Sequence, residues 1–188
     1  MACAQPQLMM KPIISRSVRI RYPDMFEAGP YSIVDDFCYF STRVHIGIGS
    51  HIAAGCTVAG GRKMFFSLGD FSSISSGARV WCTSNDFAND IIAILPEGCE
   101  DIDTNPIEGD VTIENYCGIG ANTVVMPSNR IPEGVAVGAL SFVPPSFRFE
   151  PWTVYAGIPV RYVRSRNRER VMGQVRRMRE RLGLVEVE

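Results

Sequence analysis

Histidine and tryptophan are scarce in this sequence, with two of each among 188 residues. Two imidazoles exclude a metal site that takes three histidine ligands from one chain. The six cysteines contain no Cys-x-x-Cys pair, so we expect neither a disulfide framework nor a bound metal. No apolar run approaches the roughly 20 residues that cross a bilayer, and no basic leader precedes one. We therefore expect a cytoplasmic protein with no membrane span.

Basic residues are missing from one long stretch. No Lys or Arg lies between Arg79 and Arg130, whereas nine of the 19 basic residues lie between Arg161 and Arg181. The segregation predicts an acidic loop and a basic helix, with a solvated loop and a solvated helix face as the plain alternatives. A net charge of -1 and the lack of a recognition motif argue against a nucleic-acid partner. The acidic residues of the middle stretch are Asp86, Asp90, Glu97, Glu100, Asp101, Asp103, Glu108 and Asp110.

The sequence is rich in apolar residues, at 46%, and many of them recur at every sixth position. Three runs each keep this rhythm: Val34, Phe40, Ile46, Ile52 and Val58; Leu68, Ile74 and Val80; Ile113, Ile119, Val125, Ile131, Val137 and Val143. The residue four places further on is usually small: Cys38, Ser50, Cys56, Ser72, Ala78, Ser84, Cys117, Thr123 and Ser141. The exceptions are Val44, Arg62, Asn129, Val135 and Phe147. This two-part unit predicts a triangular parallel β-helix with three short strands per coil.

One coil of such a solenoid contains three six-residue units. Cys38 and Cys56 are one coil apart, which favours a packing role for the thiols over redox or metal chemistry. The rhythm shifts over residues 58–68 and 80–113, which predicts a short and a long loop excursion. If the coils resume after the short excursion, Ile46 stacks on Leu68, Ile52 on Ile74 and Val58 on Val80.

The flanking segments complete the predicted organisation. Residues 18–22 alternate as a strand does, and residues 172–182 read as a surface helix that lies on the coils or on a neighbouring subunit. We expect an N-terminal extension over residues 1–30, a β-helix over 31–160 with a loop at 84–110, and a basic helix and tail over 161–188. The predicted fold class is an all-β solenoid, a parallel β-helix with one long loop excursion and a C-terminal α-helix.

Two motifs carry a family resemblance. The run Val-His-Ile-Gly-Ile-Gly-Ser-His-Ile-Ala over residues 44–53 resembles the hallmark of the hexapeptide-repeat acyltransferases, and residues 155–161 are similar to their closing motif. Within this family, the sequence is most similar to the branch that contains sugar O-acetyltransferases and the nucleotide-amino-sugar N-acetyltransferases of surface polysaccharide synthesis. The resemblance implies a left-handed coil, acetyl-CoA as co-substrate, a sugar acceptor, and a homotrimer whose active sites lie between subunits.

The predicted chemistry needs a base or a well-placed amine. Acyl transfer to an alcohol requires a base that titrates near neutrality, which favours histidine. His45 and His51 each precede an inward aliphatic residue, so both should point outward, on adjacent faces. The family pattern around His51 makes it our candidate catalytic residue. Galactoside-type members carry a histidine in the segment that here spans residues 81–87, which has none. Either His51 is the base, or the acceptor is an amine that needs mainly positioning.

Candidate ligand-binding residues follow from side-chain chemistry and from the resemblance. Asp86 suits an ammonium or hydroxyl group, and Asn85 and Asn105 offer matching hydrogen bonds, although Asn105 equally suits a solvated turn. Trp81 and Trp152 are possible walls for a sugar ring or adenine, with intersubunit packing as the alternative. The resemblance places Arg161 and Arg164 at the phosphates of CoA, with a solvated helix start as the alternative. It places the pantetheine channel along Ala121, Ala139, Ser141, Ala156 and Gly157.

Other functions fit the sequence less well. A γ-type carbonic anhydrase shares the β-helix but needs three histidines. A non-catalytic structural subunit, and an O-acetyltransferase acting on a small molecule other than a sugar, are the alternatives that stay open.

Overall fold

The computed structural model describes residues 10–86, 92, 94–99, 101–102 and 105–184. Within them the chain winds as a triangular parallel β-helix, and each coil passes through three faces, which we call A, B and C. Neighbouring residues of a strand point to opposite sides, so each two-residue strand directs one side chain inward and one outward. The period of six in the sequence therefore gives one aliphatic side chain to the core for each face.

Each face is a stack of short strands. Face A contains β1 (Ile13–Ile14), β4 (Ile33–Val34), β6 (His51–Ile52), β8 (Ser73–Ile74), β13 (Gly118–Ile119), β16 (Ala136–Val137) and β18 (Thr153–Ala156). Face B contains β2 (Arg19–Ile20), the first parts of β5 (Tyr39–Ile46) and β7 (Thr57–Leu68), β9 (Arg79–Trp81), β14 (Val124–Val125) and β17 (Phe142–Val143). Face C contains β3 (Phe26–Ala28), the last parts of β5 and β7, β12 (Val111–Ile113) and β15 (Arg130–Ile131).

The remaining elements depart from the coil. A short 3₁₀ helix, Pro23–Met25, precedes β3. The antiparallel hairpin of β10 (Thr83–Asn85) and β11 (Pro106–Glu108) forms the base of the long excursion. Strand β19 (Arg161–Ser165) pairs antiparallel with β18 at the end of face A, and helix α1 (Arg168–Leu182) follows.

The core matches the period of six. All fourteen apolar residues of the three sequence runs are at most 4% exposed, which confirms the predicted inward stack. Ile46 pairs with Leu68, Ile52 with Ile74 and Val58 with Val80, as expected if the coils resume after the short excursion. That excursion is a register shift inside the continuous β7, opposite Ser41 to Arg43.

Tight turns join the faces. The A–B corner comprises residues 35–37, 53–55, 75–77, 120–122, 138–140 and 156–158, and the C–A corner comprises residues 29–31, 47–49, 69–71, 114–116, 132–134 and 150–152. The third residue of every C–A turn has a positive φ, and several of these residues are aromatic. The B–C corner includes residues 59–65, 82–86, 105–110, 126–129 and 144–147, and both excursions leave the coil there.

Helix α1 lies along the C–A corner. Val175 is buried, the guanidinium of Arg168 lies over the Trp152 ring, and that of Arg179 lies over the Phe71 ring. The helix begins at Arg168, four residues before the start that apolar spacing predicts, because the Asn167 side chain accepts a hydrogen bond from the Arg170 N–H. Of the helices in the described ranges, none has the length and apolar character needed to cross a membrane.

Candidate active site

His51 lies within ion-pair distance of a carboxylate on the surface of face A. Its Nε2 lies 2.8 Å from Oδ2 of Asp35, and the two side chains are 41% and 43% exposed. Asp35 is the first residue of an A–B turn, and β6 stacks directly on the strand that precedes it. The carboxylate fixes the orientation of the imidazole and leaves Nδ1 directed away from it. Asp35 is not among the site residues predicted from the sequence, although the 18-residue coil brings its turn beside His51.

His45 lies on face C, away from His51. Its Nδ1 is 3.6 Å from Oε2 of Glu27, and both side chains are exposed. The two histidines therefore point outward from different faces, as their spacing predicts. They do not form one site within the chain.

The A–B corner gathers most of the residues that the resemblance assigns to the donor. Ala121 and Ala139 occupy the second position of successive turns, and the Leu140 N–H donates to the Ala121 carbonyl at 2.8 Å. Ala156 and Gly157 follow in the next turn. Gly120 packs so closely that an added Cβ would lie 2.3 Å from the Ala139 nitrogen, so a larger residue there would distort the corner.

Ser141 supports this corner from inside. It is 2% exposed, and its hydroxyl accepts a hydrogen bond from the Gly157 N–H at 3.1 Å. It therefore does not line the surface in this chain. Its contribution to the corner is to fix the orientation of the Gly157 peptide.

Four turns of the A–B corner each contain one backbone amide without a hydrogen-bond partner among the described residues. At the second position of its turns, the N–H groups of Ala54, Ser76, Ala121 and Ala139 have no partner among the described residues. The C–A corner is different, because side chains accept from the amides of Ile48, Asp70 and Glu133. One edge of the prism therefore presents a row of free donors, repeated at the strand spacing of about 4.8 Å.

The basic strand β19 closes the same edge at its C-terminal end. Arg161 pairs in register with Ala156, and Arg164 pairs with Val154. Both arginines are exposed. His51 lies beside the same edge, five strand steps from β19, at about 24 Å. The structure thus places the candidate base and the candidate donor residues along one edge.

The candidate acceptor residues lie at another corner. Asn85 pairs with Pro106 in the β10–β11 hairpin, so Asn85, Asp86 and Asn105 meet where the long excursion leaves the coil. Trp81 lies at the foot of the hairpin and pairs with Ala59. Face B separates this acceptor cluster, defined as Trp81, Asn85, Asp86 and Asn105, from the edge that carries His51.

The acidic stretch is only partly described. Asp90, Glu100 and Asp103 lie outside the described residues. Asp110 has a structural contact, since its Oδ1 accepts from the Phe65 N–H at 2.7 Å. Among the residues that are described, no group of three His, Cys, Asp or Glu side chains is placed to hold a metal ion.

The buried thiols act as corner donors. Cys56 donates to the Ser75 carbonyl and Cys117 to the Pro132 carbonyl, each in the following turn. Burial raises the pKa of the Cys82 and Cys117 thiols to about 12, which removes the thiolate at neutral pH. The stacked pair, Cys38 and Cys56, is buried at 1% exposure each and donates to turn carbonyls, which agrees with a packing role.

Comparison with solved structures gives close matches over nearly the whole chain. AntD, an N-acyltransferase of Bacillus cereus solved with dTDP and 3-hydroxybutyryl-CoA, is 31% identical, with a TM-score of 0.78 over 90% of this chain and 88% of AntD. A variant of AntD, also 31% identical, was solved with dTDP-4-amino-4,6-dideoxyglucose and coenzyme A; it has a TM-score of 0.79 over 92% of each chain.

Two further comparisons agree with these structures. A dTDP-4-amino-4,6-dideoxy-D-glucose acyltransferase of Escherichia coli is 29% identical over 141 residues, which cover 72% of this chain and 69% of that enzyme. A hexapeptide-repeat acetyltransferase of Vibrio cholerae, VCA0836, shares the fold at 22% identity and a TM-score of 0.58, over 77% of this chain and 76% of its own. No protein-family model matches the chain.

A β-helix built on a period of six defines a hexapeptide-repeat protein. The chain belongs to the hexapeptide-repeat acyltransferases, and its coil is left-handed. The family resemblance seen in the sequence is thereby confirmed.

Proposed function

We propose that this acyltransferase moves an acyl group, acetyl in the simplest case, from a CoA thioester to the amino group of a nucleotide-linked amino sugar. The A–B edge carries the proposal, because it combines open amides, a cationic strand and an outward His–Asp pair. Two similar proteins support a nucleotide-linked amino sugar as acceptor. AntD is an N-acyltransferase solved with a dTDP-amino sugar, and the Escherichia coli relative is a dTDP-amino-sugar acyltransferase.

The donor fits along the edge in an extended form. Arg161 and Arg164 pair with the phosphates of CoA, and the amides of Ala121 and Ala139 donate to the carbonyl groups of the pantetheine arm. Five strand steps, about 24 Å, separate the arginine strand from His51, so CoA must bind in a fully extended form to reach it. The thioester then lies near the N-terminal part of the edge.

His51 serves as the base in the chemical step. The substrate nitrogen loses a proton to the imidazole and attacks the thioester carbonyl, the C–S bond breaks, and the thiol leaves with a proton returned by the imidazolium. Asp35 stabilises the imidazolium through its 2.8 Å contact. Open corner amides are suited to stabilise the oxyanion, and those of Ala54 and Ser76 lie at this level of the edge.

Ser76 and Asp86 are the residues we assign next to the reacting groups. Solved variants of AntD replace one serine and one aspartate that are ten positions apart. In this chain Ser76 and Asp86 have that spacing, and no other serine is followed by an aspartate at ten residues. Ser76 is exposed in the same column as Ala121 and Ala139, and Asp86 belongs to the acceptor cluster.

The functional unit is a homotrimer with sites between subunits. The donor edge is the A–B edge, which carries the candidate CoA-binding residues. Within one chain, face B separates this edge from the acceptor cluster. A neighbour related by threefold symmetry brings its B–C corner to the A–B corner of the first chain, which completes the site. We place the reaction in the cytoplasm, where acyl-CoA and nucleotide sugars meet, and in the synthesis of surface polysaccharides.

The proposal is tested by measuring the release of free CoA thiol from acetyl-CoA. The acceptors compared are dTDP-amino sugars, free amino sugars and simple glycosides. We expect His51→Asn to lower kcat by about 10²- to 10⁴-fold, because proton transfer contributes on that order. Arg130→Ala is the control, because Arg130 is exposed and pairs with Glu114 away from the proposed site, and we expect its kcat to be unchanged.

Three outcomes separate the parts of the proposal. Full activity of the His51→Asn variant would remove the assigned base and favour an amine that is only positioned. Transfer to glycoside hydroxyls but not to amines would replace the acceptor class. A wild-type protein that neither binds nor turns over acetyl-CoA would favour a structural subunit.

A further inference from the structure

A groove of about 390 Å³ lies on face C of the first three coils, beside the B–C corner. Glu27 and His45 line it from stacked strands, Asp24 from the 3₁₀ helix, and Arg43 and Phe65 from the corner. Its volume is in the range of sites for small organic ligands. The donor edge and the acceptor cluster use none of these residues.

Arg43 is the prominent cation of this groove. Its guanidinium lies 4.7 Å from the centroid of the Phe65 ring, and within the described ranges it has no acidic partner. Stacking on a ring restrains the guanidinium plane and leaves its edge N–H groups free to donate. Arg62 differs, because it pairs with Asp24 at 3.0 Å. A restrained guanidinium without a carboxylate suits a phosphate group, which it can bind through two parallel hydrogen bonds.

The rest of the groove offers complementary acceptors. Glu27 is 81% exposed in its side chain and lies 3.6 Å from His45 Nδ1. A carboxylate accepts hydrogen bonds from ribose hydroxyls and from the imide N–H of a pyrimidine. The neutral or charged imidazole of His45 donates beside it. One groove therefore presents donors for phosphate and acceptors for a nucleoside.

The groove is physically connected to the acceptor cluster. The Phe65 N–H donates to Asp110, and Asp110 lies two residues after β11, the second strand of the hairpin. Phe65, which carries the stacked Arg43, is thus fixed to the base of the hairpin that presents Asn85, Asp86 and Asn105. A ligand that fills the groove can extend towards those side chains.

We infer that this groove binds the nucleoside diphosphate of the acceptor, with Arg43 and His45 at the phosphates and Glu27 at the nucleoside. The inference rests on the proposed function, since it supplies the anchor for the nucleotide part of the amino-sugar substrate. The sugar then reaches the acceptor cluster, while CoA binds on a different edge.

Calorimetric titration with dTDP, and separately with CoA, tests the assignment. We expect Arg43→Ala to raise the Kd for dTDP by more than about tenfold, because a charge-assisted pair is lost. His45→Gln should weaken dTDP binding less. Arg130→Ala is the matched control: Arg130 is exposed on the same face, pairs with Glu114, and lies three strands away. The Kd for CoA should not change in any of these variants.

Kinetics give a second readout in the same variants. With a dTDP-linked amino sugar as acceptor, Arg43→Ala should raise KM while kcat stays within about twofold, because the reacting groups are untouched. Thermal unfolding of each variant shows whether the fold is retained.

The outcomes distinguish the groove from the overall function. Unchanged dTDP binding in Arg43→Ala overturns the groove assignment but leaves acyl transfer intact. Parallel loss of CoA and dTDP binding would place the adenine nucleotide of the donor there and also overturns it. If Arg43→Ala weakens dTDP binding but the parent protein transfers no acyl group to any amino sugar, the groove assignment holds and the proposed function is contradicted.

Discussion

Small residues at the corners are hydrogen-bonding residues as well as spacers. The hydroxyls of Ser50 and Ser72 donate to carbonyls of the following coil and also accept an N–H from it. Thr123 donates to the Gly138 carbonyl. Each such bond contributes on the order of 1 kcal/mol to folding stability. Successive coils are therefore linked through their corners as well as through their strands.

Asn129 shows why one exception to the small-residue pattern is tolerated. It is 1% exposed, donates to the Met126 and Pro144 carbonyls, and accepts from the Phe147 N–H. A buried amide is stable only when its polar atoms have partners. The sequence reveals the departure from the pattern, but the hydrogen bonds that compensate for it depend on the stacking of two turns.

Thiol reactivity tests the burial of the corner cysteines. Burial disfavours the thiolate and raises the pKa of Cys82 and Cys117 to about 12, so both thiols stay protonated at pH 8 and are inert to iodoacetamide. Of the cysteines that the structure describes, we expect the partly exposed Cys99 to be alkylated first, and Cys82 and Cys117 only after unfolding, as mapped by mass spectrometry. Early modification of Cys117 in the folded protein would contradict this packing.

At the scale of elements, helix α1 is held by a column of rings on the C–A corner. Phe71 and Tyr116 stack at 6.4 Å, Tyr116 and Trp152 at 6.3 Å, and Gly134 occupies the turn between the last two. A side chain at position 134 would meet the Trp152 ring at 2.4 Å. Three coil steps span about 14 Å, and the eleven helical steps from Arg168 to Arg179 rise about 16 Å. The helix therefore matches the column in length.

Arg166 anchors the start of this helix. Its Nη1 donates to the carbonyls of Tyr116 and Gly134, at 2.6 and 2.9 Å. We expect Arg166→Ala to increase hydrogen exchange of residues 168–182 by more than about tenfold, since an anchoring contact to two backbone carbonyls is lost. Amides on face A should keep their protection. Arg170→Ala, an exposed change on the helix itself, is the control. Equal exchange in the two variants would show that α1 does not depend on this contact.

At the scale of the whole molecule, the three edges of the prism have different surfaces. The A–B edge has open amides, the C–A edge is covered by α1, and the B–C edge carries both excursions. The repeat itself is nearly symmetrical about the coil axis. The two excursions and helix α1 break that symmetry, so each edge offers a different surface to a ligand.

Subunit mixing tests the composite site. If donor and acceptor residues come from different chains, His51→Asn and Asp86→Asn disable different halves of each site. Refolding the two inactive variants together should restore activity at about a quarter of the sites, because random assembly pairs two intact halves that often. Native mass spectrometry should show trimers. Mixed trimers without recovered activity would mean that both residues act within one chain.

The period of six alone fixed the core, the coil length, the positions of both excursions and the packing role of the stacked cysteines. Those features depend on local spacing, since an inward aliphatic side chain is needed at every sixth residue of this coil. Only the tertiary structure decided that Asp35 meets His51, that Ser141 faces inward, that one corner keeps open amides, and that the acceptor cluster lies across face B from the donor edge. These relations join residues from different coils, whose contacts depend on stacking and on which side chains happen to cap each turn.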